Sequence, residues 1–169
     1  MSRRLDDTDR ALLRALTTDG RRTLRALAKD VELSEPAVRE RIQRLERDQV
    51  ITGYRAAVAP ESVDAATAAF IALRFGPGED VRSAVDEALR REPCVLEAHQ
   101  VAGDDCYLIK VRVASTGELA DLLDRVRAIP PIQSTGTTIV LRTIFERPLL
   151  AGDAERTRGD GPAPAANGG

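Results

Sequence analysis

The sequence is poor in aromatic residues, cysteine and histidine. It has no tryptophan, three phenylalanines and two tyrosines, so aromatic residues make up 3% of its 169 residues. The two cysteines, Cys94 and Cys106, are too few for a disulfide framework; we expect reduced thiols, with a single bridge between them left open. The one histidine, His99, has no neighbouring Cys or His set, which predicts a core or interface residue and no metal site.

Long hydrophobic runs are also absent. No apolar segment approaches the roughly 18 residues that span a bilayer, and the first residues, MSRRLDDTDR, lack the apolar core of a secretory signal. Hydrophobic residues make up 43% and charged residues 31% of the chain, as in a soluble globular protein. We therefore expect a cytoplasmic protein with no membrane partner, built as one medium domain or two small ones.

Positive charge is unevenly distributed along the chain. The net charge is −2, yet residues 1–60 carry 13 Lys and Arg against 10 Asp and Glu, whereas residues 61–150 carry 10 against 14. A basic first part joined to an acidic second part is the asymmetry expected of a DNA-binding domain attached to a partner domain.

Residues 23–47 predict two short amphipathic helices joined by a tight turn. Thr23 and Ser34 precede them as N-caps, and Pro36 falls in the first turn of the second helix. The outward face of that second helix is polar and rich in arginine, which is typical of a DNA-binding helix-turn-helix. An ordinary αα-hairpin with a solvated face is the alternative for this stretch alone. The apolar stripes at helical spacing are Leu24, Leu27, Ala28 and Val31, then Val38, Ile42 and Leu45.

A helix before this pair and a strand after it complete the expected first domain. The first helix is predicted over residues 5–17, with Asp6 as its cap and Asp9 at capping-box spacing. Residues 50–58, VITGYRAAV, predict the strand that a winged helix-turn-helix has at this point.

The second half of the chain alternates strands and helices. Strands are predicted over 68–75, 94–101, 106–113 and 137–145, and helices over 79–92 and 115–129. This order is that of a ferredoxin-like βαββαβ sandwich. Because both helices cover one sheet face, the other face needs a partner, and a second copy of the chain is the economical one.

These patterns divide the chain into four parts. We expect a winged helix-turn-helix over 1–60, a linker over 61–67 and the sandwich over 68–150. Residues 151–169, AGDAERTRGDGPAPAANGG, hold no large apolar side chain to offset the entropy of ordering, so a disordered tail is predicted.

Five segments, in this order and spacing, resemble the Lrp/AsnC (leucine-responsive/asparagine regulator) family of prokaryotic transcription factors: LDDTDRALLRAL, DGRRTLRALAKDV, LSEPAVRERIQRLERDQVITGY, VAGDDCYLIKVRV and IQSTGTTIVL. The likeness covers residues 5 to about 149. It implies an α+β fold, with an N-terminal winged helix-turn-helix followed by a ferredoxin-like βαββαβ sandwich (a RAM-type domain). It also implies a sequence-specific DNA-binding regulator that forms homodimers or larger homo-oligomers and responds to an amino acid or related metabolite at a subunit interface.

Three positions depart from the family pattern. Glu32, in the turn before the recognition helix, and Gln49, before the expected strand, stand where members often have Gly. We expect either a left-handed backbone at these residues or a different turn. In the hairpin turn, members commonly read Gly-Asp-Tyr-Asp where this chain has Gly103-Asp104-Asp105-Cys106. That turn borders the family's effector pocket, so the effector's identity is open.

The predicted DNA-binding residues flank the helix pair and lie on the outer face of its second member. Gln43 suits adenine and Arg39 suits guanine through paired major-groove hydrogen bonds, with solvated surface or phosphate contact as the alternatives. Arg41 and Arg44 lie nearer the buried stripe, which favours structural pairing or phosphate contact. The full predicted set is Arg21, Arg22, Thr23, Ser34, Pro36, Arg39, Glu40, Gln43 and Arg44.

The resemblance places an effector site at the hairpin turn. Gly103 lets backbone N–H groups approach a carboxylate, and Asp104 or Asp105 can accept hydrogen bonds from an ammonium group. Thr135 and Thr137, at the start of the last expected strand, offer hydroxyls. The alternative for both aspartates is that they only form the turn.

Two other functions stay open at this point. Sirohaem decarboxylases of haem biosynthesis resemble this two-domain plan, but one histidine and an acidic second domain argue against an anionic tetrapyrrole. The other alternative is an interaction module with a vestigial helix-turn-helix. We predict no catalytic residue, metal or cofactor.

Overall fold

A computed structural model describes residues 4–147 and Leu149 of the chain. The predicted disordered tail, 151–169, lies outside the described residues. The described part of the chain divides into two compact units, one formed by residues 4–56 with 146, 147 and 149, the other by Ala57–Phe145. Each unit has its own hydrophobic core. Within residues 4–147, no helix is both long and apolar enough to cross a membrane.

The first unit contains three helices, α1 (Asp7–Thr18), α2 (Leu24–Asp30) and α3 (Glu35–Arg47), which agree closely with the predicted ones. Their apolar stripes meet in a small core, so the amphipathic spacing in the sequence is used as expected. The buried members of that core are Leu12, Leu27, Ala28, Val38 and Ile42.

Side-chain caps define where the three helices begin. Asp6 and Asp9 form a reciprocal capping box at the start of α1. Thr23 accepts a hydrogen bond from the N–H of residue 26, and Ser34 accepts one from the N–H of residue 37. Each cap satisfies a backbone donor that has no partner inside its own helix.

The turns on both sides of α3 contain left-handed residues. Glu32 has φ of 54° and Gln49 has φ of 56°, so the left-handed alternative holds at both positions. The strand predicted over 50–58 is wrong, because none of the described strands lies in the first unit and an unpaired strand leaves its backbone groups unsatisfied. Instead the Tyr54 hydroxyl donates to the Glu46 carboxylate at 2.9 Å, which holds this segment against α3.

The second unit is a four-stranded antiparallel sheet with two helices. Its elements are β1 (Thr67–Phe75), α4 (Glu79–Arg90), β2 (Val95–Gln100), β3 (Tyr107–Val113), α5 (Thr116–Arg127) and β4 (Ile132–Ile139), in the strand order β2-β3-β1-β4. This is the predicted ferredoxin-like sandwich. A short 3-10 helix, Pro60–Val63, precedes β1.

One face of the sheet packs against α4 and α5. Alternate residues of the two central strands are buried there: Ala69, Ile71, Leu73 and Phe75 of β1, and Tyr107, Ile109, Val111 and Val113 of β3. The helices contribute Val85, Leu89, Leu119, Leu122 and Val126 to this core. Phe70 points to the opposite face and is 37% exposed, so that face is where a partner is needed.

The last strand begins and ends earlier than predicted. The sequence predicts 137–145, whereas β4 is Ile132–Ile139. Thr135 and Thr137 therefore lie within the strand and not at its start. The polar segment QSTGTT has the composition of a loop. It forms a strand nevertheless, because an edge strand that is exposed along most of its length needs no alternation of apolar and polar residues.

The two cysteines lie at opposite ends of the β2–β3 hairpin. The carbonyl of Cys94 accepts a hydrogen bond from the N–H of Arg112, and the carbonyl of Cys106 accepts one from the N–H of Val101. Both thiols are free. A bridge between them is excluded because antiparallel pairing places the starts of two consecutive strands far apart.

Candidate functional site

The charged side chains of α3 fall into two sets, and the first set faces α1. Arg41 Nη1 lies 2.6 Å from Asp6 Oδ2 and 2.8 Å from Asp9 Oδ1. Arg44 Nη2 lies 2.7 and 2.8 Å from the two carboxylate oxygens of Asp9. Asp9 is the one buried charged residue of the part of the chain described, at 4% exposure. Its two arginines provide the hydrogen bonds and opposite charge that a buried carboxylate requires.

The same cluster changes the acidity of Asp6 and gives Arg44 a structural role. The hydrogen bond from Arg41, followed by that from the N–H of Asp9, lowers the pKa of the Asp6 carboxyl. Arg44, predicted for the DNA surface, is engaged in structural pairing, which is one of the two alternatives that its position on the helix allowed.

The second set forms the outer face of α3. Residues 35, 36, 39, 40 and 43 line one shallow groove there, and all are exposed. Arg39, Glu40 and Gln43 have no ion pair or side-chain hydrogen bond to any residue that the structure describes. Residues three and four apart are neighbours on a helix, so these side chains project together. They offer donors and acceptors that base edges in a major groove can pair with.

The remaining predicted DNA residues divide between capping and exposed charge. The hydroxyls of Thr23 and Ser34 serve as helix caps. Arg22 pairs with Asp30, whereas the guanidinium of Arg21 is exposed and has no partner among residues 4–147. Arg21 is therefore the predicted phosphate contact that is free to act.

The hairpin half of the predicted effector site is open to solvent. Gly103 has φ of 140°, a conformation that favours glycine, and nothing lies within 4 Å of where its side chain would be. Asp104 is exposed. Asp105 Oδ1 lies 3.3 Å from Arg74 Nη2, so this carboxylate is already paired with a cation of β1.

The threonine half lies on the other side of the sheet. Thr135 stands opposite Leu73 and Thr137 opposite Ile71, so both point to the helix-covered face. The Thr135 hydroxyl accepts a hydrogen bond from Arg127 Nε at 3.0 Å. Arg74 follows Leu73 and so points the opposite way. Within one copy of the chain, the threonines and the Asp105–Arg74 pair are therefore not brought together.

A groove between α4 and β2 was not anticipated from sequence. Its volume is about 400 Å³, and Tyr107 and Asp86 lie in its lining. The Tyr107 hydroxyl donates to Asp86 Oδ1 at 2.6 Å, and burial, with help from this hydrogen bond, raises the pKa of Tyr107 to about 12. Tyr107 alternates with apolar residues along its strand, and this pattern gives no sign of a polar partner.

His99 lies on the exposed face of β2 and not in the core. Its side chain is 58% exposed, and Nε2 lies 3.2 Å from Glu97 Oε2. His99 and then Lys110 lower the pKa of the Glu97 carboxyl. Across residues 4–147, no group of three or more His, Cys, Asp or Glu is placed to hold a metal ion.

A helix-turn-helix with a free polar face, followed by a ferredoxin-like α/β unit, defines a two-domain DNA-binding regulator. A family model described as "AsnC-type helix-turn-helix domain" matches residues 5–46, and one described as "Lrp/AsnC ligand binding domain" matches residues 68–150. The chain belongs to the Lrp/AsnC family of transcriptional regulators. This is a family of regulators, so the enzyme alternative is not retained.

The chain is similar in sequence to known regulators over most of their length. The chain is 39% identical to the HTH-type transcriptional regulator LrpA of Mycobacterium tuberculosis, over 86% of this chain and 95% of that protein. It is 34% identical to the leucine-responsive regulatory protein of Escherichia coli, over 83% and 87%. Among solved structures, the feast or famine regulatory protein of M. tuberculosis complexed with L-methionine has a TM-score of 0.77 at 37% identity, over 87% and 99%.

Proposed function

We propose that the outer face of α3 reads DNA bases in the major groove. The observation that carries this proposal is the division of α3: Arg41 and Arg44 are held by α1, whereas Arg39, Glu40 and Gln43 are exposed and without partners among the described residues. Polar side chains kept free along one helix face fit base edges, and an α-helix fits the width of the major groove.

Phosphate contacts then position the helix. The guanidinium of Arg21, in the turn before α2, has no partner among residues 4–147, and Arg22 can exchange Asp30 for a phosphate. Thr23, Ser34 and Pro36 lie at the helix starts, where backbone N–H groups favour an anion. Arg44 is assigned a supporting role, because a phosphate would have to compete with the buried carboxylate of Asp9.

A second copy of the chain completes the proposed assembly. The open sheet face, which includes Phe70, is the surface that we assign to a two-fold dimer. Its two α3 helices would address half-sites about 34 Å, or a multiple of that, apart. We divide the chain into a DNA-binding part over 1–60, a linker over 61–67 and an effector and assembly part over 68–150, and place the protein in the cytoplasm with its DNA.

The effector is proposed to be a small amino acid or a related metabolite. Support comes from two relatives whose structures contain L-methionine, the M. tuberculosis protein above and a transcriptional regulator of Neisseria meningitidis at 28% identity and a TM-score of 0.80. In this chain the proposed ligand contacts are Gly103, Asp104 and Asp105 from one side and Thr135 and Thr137 from another. Because one copy keeps these groups apart, the complete pocket requires two copies.

Selection of genomic fragments tests this proposal. The purified chain is mixed with sheared genomic DNA, with and without a mixture of amino acids, and the bound fragments are sequenced. We expect a recurrent site with two-fold symmetry, and a change in its recovery when the amino acids are added. Equal recovery of all fragments under both conditions would contradict sequence-specific, effector-controlled binding.

A further inference from the structure

We infer that Glu40 is a specificity residue that accepts a hydrogen bond from the N4 amino group of a cytosine in each half-site. This inference rests on the proposed function, because it requires α3 to lie in the major groove. It adds to that function the identity of one base in the half-site.

The carboxylate of Glu40 has no cation partner among the described residues, for a structural reason. On a helix, a glutamate four residues before an arginine normally gains an ion pair, and Arg44 occupies that position relative to Glu40. Arg44 is instead held by both carboxylate oxygens of Asp9, at 2.7 and 2.8 Å. Glu40 consequently projects into the outer groove of α3 without a cation to neutralise it in the described chain.

A free carboxylate on this face is unfavourable for non-specific DNA binding. Phosphates repel it, and this repulsion weakens the general, salt-dependent attraction that arginines supply. The repulsion is offset only where the carboxylate meets a hydrogen-bond donor, since an ionised carboxylate has no donor of its own. Contact with a base amino group meets that condition.

The chemistry of the groove edges selects cytosine among the bases. Guanine presents two acceptors and thymine presents one, so both repel a carboxylate. Adenine has the N6 donor, but its N7 acceptor lies beside that donor and faces the second carboxylate oxygen. Cytosine offers the N4 donor without a neighbouring acceptor on its own edge. Glu40 therefore favours cytosine and rejects guanine and thymine.

The neighbours of Glu40 supply the other base contacts. Arg39 and Gln43 line the same groove and likewise have no partner in the described part of the chain. Arginine pairs best with guanine and glutamine with adenine, so the half-site read by α3 should combine guanine, cytosine and adenine.

The test is a selection from a random duplex library with the full chain. Wild type is compared with Glu40→Ala, Glu40→Gln and the control Glu35→Gln, which removes the same charge from the same groove. We expect wild type to enrich cytosine at one position of each half-site, by about 5- to 150-fold over guanine. Glu40→Ala should lose that preference, Glu40→Gln should turn it toward adenine, and Glu35→Gln should keep it while binding all duplexes more tightly.

A second measurement uses the wild-type chain alone, so that it does not depend on the folding of any variant. Replacing the selected C·G pair by T·A should weaken binding about 5- to 150-fold. An unchanged base preference in Glu40→Ala, or the same change in Glu35→Gln, would overturn the inference while leaving DNA binding in place. Absence of any duplex binding by wild type would instead overturn the proposed function beneath it.

Discussion

Arg44 on α3 and Asp9 on α1 form a two-bond ion pair, with Nη2 of the arginine 2.7 and 2.8 Å from the two carboxylate oxygens. Asp9 is 4% exposed, and Arg41 adds a third bond at 2.8 Å. The pair fixes the rotation of α3 about its axis, because the inner arginines cannot turn outward without abandoning a buried carboxylate. The outer side chains are thereby presented to a partner.

Removal of Asp9 should therefore destabilise the first unit. In Asp9→Ala, Arg44 loses its acceptor and Arg41 keeps only Asp6, but each arginine is about a quarter exposed and can turn to water. We expect the free energy of unfolding in urea to fall by about 2–3 kcal/mol. Asp7→Ala, which removes an exposed charge from the same helix turn, should change it by less than about 0.5 kcal/mol. An equal, small loss in both variants would contradict the anchoring role.

The acid limb of the stability curve should depend on Asp6. Its folded pKa is lowered by Arg41, so the folded state holds its proton less tightly than the unfolded state. This contribution is present above the ordinary pKa of an aspartate, about 3.9, and is lost as the pH falls below it. Asp6→Asn should lower stability at pH 7 and flatten the decline below pH 5 in urea titrations. A decline as steep as that of wild type would place the acid sensitivity elsewhere.

The helices could be predicted closely from the sequence because their signals are local. Asp6, Thr23 and Ser34 mark the helix starts because each caps a backbone N–H only three residues away. The apolar residues of each helix recur at helical spacing, which is also a local signal. The sequence only partly predicts that Arg41 and Arg44 pair with α1 while Arg39 stays exposed. This pairing depends on Asp9, which is far away in sequence.

The errors occur where the outcome depends on pairing. The segment 50–58 has strand-like residues but no partner strand among the described residues of the first unit, whereas the polar stretch from Ile132 onward pairs with β1. Backbone hydrogen bonding to a partner strand decides whether each segment becomes a strand. The pattern of apolar and polar side chains predicts that pairing poorly at the edge of a sheet. A disulfide bridge between Cys94 and Cys106 is excluded by strand pairing as well, because the register of the β2–β3 hairpin places the two residues at opposite ends.

Base contacts and phosphate contacts should be separable by salt. We expect Arg39→Ala and Gln43→Ala to lose about 1–3 kcal/mol on the selected site and little on random duplex. Arg21→Ala should weaken both and reduce the slope of log affinity against log salt by about 0.9. These values come from fluorescence anisotropy at several salt concentrations. Equal losses on both duplexes for all three variants would remove the base-reading assignment.

Tyr107 should control stability at alkaline pH. Its pKa is raised to about 12 by burial and by its hydrogen bond to Asp86, so the folded state favours the neutral phenol. This contribution is complete below the ordinary tyrosine pKa, about 10, and is lost as the pH rises toward 12. Tyr107→Phe should cost about 1–2 kcal/mol at pH 7 through the lost hydrogen bond and soften the alkaline decline. Burial, with help from its hydrogen bond to Glu46, also raises the pKa of Tyr54 to about 12, so Tyr54→Phe should soften the alkaline decline of the first unit in the same way.

The effector site should appear only when two copies of the chain meet. One copy holds the Asp105–Arg74 pair and the threonines on opposite sheet faces, so an amino acid bound by both groups must bridge copies. We expect one of the twenty amino acids, at about 100 times its dissociation constant, to stabilise the chain by about 2.7 kcal/mol and raise its Tm by several degrees. That shift should grow with protein concentration, because dilution separates the copies.

Variants then locate this response within the chain. Asp104→Ala and Thr135→Val should abolish the Tm shift and any effect of the amino acid on operator affinity, while binding to the operator without ligand stays as in wild type. Asp121→Ala, an exposed change on α5, should keep both responses.

Loss of only one of the two responses in a variant would mean that binding and control are uncoupled, since differential affinity for two assemblies is what links them. If no amino acid shifts the Tm or operator binding of wild type, the site takes another class of ligand, and the Asp105-Cys106 sequence in the turn is the first place to seek the reason.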